Sequence, residues 1–143
     1  MDLLRWGAMG HALASRPYGV QNADHECVVL LVDDDEGFRS ALAEHLRDDG
    51  YAVIEYAAAQ DVPAFGGLGE VHVVVTDYDM PGTDGLSFAD RFHAVHPRVP
   101  IIMVSGSCST HLQTQAAARG FVALLPKPFQ YDSLHRLLPQ LSH

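Results

Sequence analysis

The chain has 143 residues, 48% of them hydrophobic, and a formal charge of −9. That length suits one domain with a buried core. No apolar stretch is long enough to span a bilayer, and the acidic balance argues against non-specific nucleic-acid binding, which needs a basic surface.

Residues 1 to about 26 carry no clean periodicity and include Pro17, Gly19 and Asn22. They are expected to form an N-terminal extension, with some helical character between Leu3 and Leu13. Asp2, and the Gly7, Gly10 and His11 that break the apolar stretch, argue against a secretory signal. A cytoplasmic location is therefore expected. From Cys27 the chain alternates strand and helix. The first strand is expected at Cys27 to Val32. A helix follows from Glu36 to Arg47, with Phe38, Leu42 and Leu46 spaced four apart on one face, and Asp49-Gly50 ends it. Tyr51 to Tyr56 reads as a second strand. Ala57 to Leu68 reads as a weak helix, disturbed by Pro63 and Gly66-Gly67. Val71 to Thr76 is the third strand, and Leu86 to His96 a helix stopped by Pro97. Pro100 to Val104 is the fourth strand. Thr110 to Arg119 is a helix ended by Gly120, and Phe121 to Leu125 the fifth strand. A last helix carries Leu134, Leu137, Leu138 and Leu141, and Pro139 should shorten or kink it. Cys27 and Cys108 lie in or beside apolar runs without a CxxC pattern, as buried free thiols do.

Five strands alternating with helices predict an α/β domain, a parallel sheet covered on both faces. Such sheets bind ligands at the carboxyl ends of their strands. The residues that follow four of the apolar runs are Asp33-Asp34, Asp77, Ser105 and, after Pro126, Lys127. All should open on one edge.

Two like charges 4 Å apart repel by about 4 kcal/mol at an effective dielectric near 20. A cluster of Asp33, Asp34 and Asp77 must therefore take up protons or bind a cation. Oxygen ligands favour a hard ion, and Mg²⁺ is the natural choice. Lys127, between two prolines, can neutralise an added phosphoryl group as a point charge. Ser105 can donate its hydroxyl to a phosphoryl oxygen, and Gly106 leaves room beside it. These groups make a centre for phosphoryl transfer to a carboxylate, with Asp77 as nucleophile. His93 and His96, three apart on a helix, read as a solvated face, since no third ligand is placed to complete a zinc site.

The ordered set Asp33-Asp34, Asp77-x-x-Met80-Pro81-x-x-Asp84-Gly85, Ser105-Gly106 and Lys127-Pro128-Phe129 resembles the receiver domain of two-component response regulators. The resemblance covers about residues 27–143. It implies a doubly wound, flavodoxin-like sheet of five parallel strands in the order 2-1-3-4-5. It implies phosphorylation of Asp77 by a histidine kinase or histidine phosphotransfer protein. Asp34, Asp77 and the backbone carbonyl of Asp79 would hold Mg²⁺, with Asp33 assisting through water. Ser105 would be the switch hydroxyl and Lys127 the contact to the phosphoryl oxygen, and output would pass through a downstream protein. Leu124 stands where receivers often carry Tyr or Phe, so the readout should differ from the usual coupled hydroxyl and ring movement. Two alternatives stand beside this. Asp77-Tyr78-Asp79 resembles the acid pair of haloacid-dehalogenase-type phosphatases, although that motif usually follows the first strand. A degenerate receiver would bind a partner without phosphorylation.

Overall fold

The computed structural model describes residues 27–63 and 67–138. The expected extension over residues 1–26, Pro139 and Leu141 lie outside the described residues. Five strands form the sheet: β1 Val28–Val32, β2 Ala52–Tyr56, β3 Val73–Asp77, β4 Ile101–Ser105 and β5 Ala123–Pro126. Among the described residues four α-helices connect or follow them: α1 Glu36–Asp48, α2 Gly85–Val95, α3 Thr110–Ala118 and α4 Tyr131–His135. Every strand pair is parallel, and the spatial order is β2-β1-β3-β4-β5. This is the doubly wound α/β sheet that the alternation implied.

Composition explains which strands lie in the middle. All residues of β3 and β4 are buried, as in Val73-Val74-Val75-Thr76-Asp77. Continuous apolar runs suit strands covered on both faces. The edge strand β2 is only half-buried throughout. Alternate residues feed two cores. Leu30, Val32, Val74 and Met103 face Phe88 and Phe92 of α2 and Leu112 of α3. Val29, Leu31, Val75 and Val104 face Leu42 and Leu46 of α1 and Leu134 of α4. Leu134 and Leu138 are buried and Leu137 packs against them, so these three leucines serve the core.

One expected element differs. In place of an α-helix over Ala57 to Leu68, the described residues hold a 3₁₀ turn at Ala59–Asp61. Pro63 accounts for the stop. A residue before proline avoids the helical region, and Val62 is extended, with φ −72° and ψ 126°.

The loops at the carboxyl edge run directly into helix N-caps. Asp35, Asp84 and Ser109 accept the backbone N–H groups of Phe38, Ser87 and Leu112 at 3.0, 2.9 and 3.0 Å. Gly85 opens α2 hard against the end of β3. A Cβ there would collide with the carbonyl oxygen of Asp77 and lie 2.9 Å from Tyr78 Cα. Gly85→Ala is therefore expected to lower the unfolding free energy by about 2 kcal/mol despite alanine's better helix propensity. Gly37→Ala in α1, whose nearest new contact is at 3.7 Å, should leave stability unchanged or higher. Urea unfolding of the two variants checks this, and equal effects would contradict it.

Candidate functional site

Register brings the polar strand ends together. Val32 pairs with Thr76, so Asp33 follows alongside Asp77. Asp77 pairs with Val104, and Ser105 with Pro126. Carboxylate oxygens of Asp33, Asp34 and Asp77 lie within 4.8 Å of one another. Asp33 and Asp77 are buried, at 1% and 3% exposure, while Asp34 faces solvent. Among the described residues this is the one group able to hold a metal ion, and His93 and His96 take no part in it.

Each buried acid is fixed differently. Asp33 Oδ1 accepts the Asp35 N–H at 2.9 Å, and Asp33 Oδ2 meets Lys127 Nζ at 2.9 Å. Asp77 Oδ1 accepts the Asp79 N–H at a longer 3.3 Å, and Oδ2 lies 3.6 Å from Lys127 Nζ. Asp33 is thus more tightly tied and Asp77 the freer of the two. Arg39 reinforces the position of Asp33 by donating to its backbone carbonyl at 2.7 Å. Lys127 is anchored through its own N–H, which donates to the Ser105 carbonyl at 2.8 Å. Its following peptide bond, to Pro128, is cis.

One cation among three acids leaves the site short of positive charge. Burial pushes the Asp77 carboxyl up to about 6, and the Asp33 charge adds to this. Lys127 and the Asp79 N–H oppose the rise without cancelling it. For Lys127, burial disfavours the ammonium, but the hydrogen bond and charge of Asp33, with the charges of Asp77 and Asp35, hold it above its ordinary range. It is therefore protonated at neutral pH. Oxygen donors at this spacing fit a hard divalent cation such as Mg²⁺. Asp33, Asp34 and Asp77 each offer a carboxylate oxygen.

Ser105 is buried, and its hydroxyl donates to Asp79 Oδ2 at 3.0 Å. The same Oγ accepts the Ser107 N–H at 3.0 Å and lies 3.2 Å from the Ser107 carbonyl. All the residues singled out in the sequence, Asp33, Asp34, Asp77, Asp79, Ser105 and Lys127, therefore meet at one edge. Two features were not legible there. Phe38, read as part of the apolar face of its helix, lies under the Lys127 ammonium, 4.4 Å from ring centroid to Nζ. Phe129 braces that ring edge-on at 5.6 Å. The Asp79–Ser105 hydrogen bond was likewise invisible, because 26 residues separate its partners. Leu124 is half-buried and packs on the core that holds Met103 and Phe88.

The raised Asp77 pKa has a consequence for stability. With the folded value at about 6 and the ordinary value at 3.8, the folded state binds this proton more tightly than the unfolded state. The ionised carboxylate destabilises the fold fully above about pH 6, and that effect fades as pH falls toward the ordinary value. In EDTA at neutral pH, Asp77→Asn should be more stable than wild type by on the order of 1 kcal/mol. The two should converge near about pH 4. Denaturant titrations across pH check this; a variant less stable at neutral pH would contradict it.

Comparison with known proteins agrees with the geometry. Residues 29–139 match the family model described as "Response regulator receiver domain". The chain is 33% identical over 106 residues to the C4-dicarboxylate transport transcriptional regulatory protein DctD of Rhizobium meliloti, covering 74% of this chain and 23% of that protein. It is 34% identical over 110 residues to the sensor kinase CckA of Brucella abortus, covering 74% of this chain and 11% of that one. The chain thus spans only a minor part of these relatives' length. Among solved structures, the chemotaxis protein CheY4 of Vibrio cholerae aligns with a TM-score of 0.70 and 28% identity, covering 79% of this chain and 99% of that one. The chain belongs to the response regulator receiver domain family, the receiver module of two-component signal transduction.

Proposed function

We propose that this receiver takes a phosphoryl group on Asp77 in a Mg²⁺-dependent reaction, and that the modification changes its protein contacts. The observation that carries this is the pairing of a loosely held, buried carboxylate with a fixed cation, Asp77 Oδ2 at 3.6 Å from Lys127 Nζ. Of the two buried acids, Asp77 has the weaker ties, so its oxygen is the better nucleophile. An Asp77 oxygen attacks the phosphorus of the donor in line. The new oxygen–phosphorus bond forms as the bond to the donor's leaving atom breaks, a histidine nitrogen or an acyl oxygen. Asp34 and Asp77 carboxylates and the Asp79 carbonyl would hold the Mg²⁺, with Asp33 assisting through water. When bound, the ion supplies charge neutralisation for the phosphoryl oxygens.

Lys127 contacts a phosphoryl oxygen as the group arrives, at little reorganisation because Asp33 already orients it. Ser105 donates its hydroxyl to another. The phosphoryl dianion thereby biases a domain with two arrangements. A histidine kinase or histidine phosphotransfer protein is the natural donor, since similar segments occur in a sensor kinase and in a transcriptional regulator. The downstream contact is a protein, and the chain modifies its own aspartate rather than turning over an external substrate. Its expected location is the cytoplasm, in keeping with the absence, among the described residues, of any helix long and apolar enough to cross a membrane.

Incubation with acetyl phosphate and Mg²⁺, followed by intact mass, tests this reading. Wild type should gain one phosphoryl group, and EDTA or Asp77→Asn should abolish the gain. Lys127→Ala should slow the reaction by about a hundredfold, in the range of lost electrostatic stabilisation. Repeated turnover of a generic phosphomonoester would favour a phosphatase, and no modification at all a phosphorylation-independent binding module.

A further inference from the structure

The Asp79 side chain has no part in the chemistry above, yet it makes a specific bond. It stands on the loop after β3, exposed to solvent, and its Oδ2 accepts the hydroxyl of the buried Ser105 at 3.0 Å. A serine hydroxyl has one proton to give. The other acceptor within reach is the Ser107 carbonyl at 3.2 Å, and a charged acceptor outcompetes a neutral one. While the proton points at Asp79 it cannot point at a group on Asp77.

We propose that Asp79 is a latch that holds the Ser105 hydroxyl in its resting position and must release it before Ser105 can engage a phosphoryl group on Asp77. The inference rests on the reading of Asp77 as phosphoacceptor and Ser105 as switch hydroxyl. Two features make the latch responsive. The Asp79 N–H donates to Asp77 Oδ1 at 3.3 Å, so the same residue touches both the acceptor and the switch. A phosphoryl dianion on Asp77 would also repel the Asp79 carboxylate. One event thus pushes the holder away and offers the hydroxyl a stronger acceptor. The residue two places after the phosphoacceptor sets how much of the phosphoryl binding energy is used in opening the switch.

Beryllofluoride, a non-transferable mimic of the phosphoryl group, tests this with Mg²⁺ present. Its affinity is measured for wild type, Asp79→Ala, Ser105→Ala and the double variant. Asp79→Ala should bind about three- to tenfold more tightly. Removing any acidic charge near an anion would also tighten binding, so the double-mutant cycle decides. If Asp79 acts through Ser105, the gain shrinks severalfold in the Ser105→Ala background. A gain that is equal in both backgrounds, or absent, overturns the latch. If wild type takes up no beryllofluoride, the phosphoacceptor reading fails separately. The latch is then read in the resting protein by hydrogen exchange at the Ser107 amide, which bonds Ser105 Oγ. Faster exchange in Asp79→Ala supports the latch, and unchanged exchange overturns it.

Discussion

The Lys127 ammonium, 2.9 Å from Asp33 and 3.6 Å from Asp77, is the interaction around which the carboxyl edge is organised. It makes two buried carboxylates tolerable but does not balance three. Burial, with the Asp33 charge added, raises the Asp77 carboxyl, and Lys127 does not cancel the rise. A site that is fully neutral would attract a cation less strongly, and one without Lys127 would lack the fixed charge that meets a phosphoryl oxygen. The residual imbalance is what gives the edge its chemistry.

The rest of the fold keeps that imbalance in place. Apolar β1, β3 and β4 bury both faces of the sheet, and burying a large side chain such as Phe88 or Phe92 is worth about 1.5–3 kcal/mol. This supplies the stability from which the charge conflict is deducted. Parallel register sets the strand ends side by side, and N-caps at Asp35, Asp84 and Ser109 turn each loop sharply into its helix. Gly85 allows α2 to start against the backbone of Asp77 and Tyr78. Phe38 and Phe129 brace the Lys127 chain from below. The acids are thus held by elements that have little freedom to retreat from one another.

Much of this was legible in the sequence because apolar runs that end in polar residues carry both pieces of information at once. Val73-Val74-Val75-Thr76-Asp77 indicates a doubly covered strand and what stands at its end. Strand order makes the ends converge, so Asp33, Asp77, Ser105 and Lys127 could be grouped before any distance was known. The stretch after β2 reads as a helix because small residues such as Ala57, Ala58 and Ala59 suit one, while Pro63 forbids its continuation through Val62. Phe38 was hidden for another reason: spacing assigns a helix face but cannot tell core from a cation above it. The Asp79–Ser105 bond depends on loop geometry that no local pattern encodes.

Borohydride reduction followed by peptide mass mapping addresses the central claim most directly, since reduction converts an aspartyl phosphate to a stable homoserine. After incubation with acetyl phosphate and Mg²⁺, the modification is expected on Asp77 and on neither Asp33 nor Asp34. Modification at either of those residues would contradict the assignment of the loosely tied carboxylate as nucleophile.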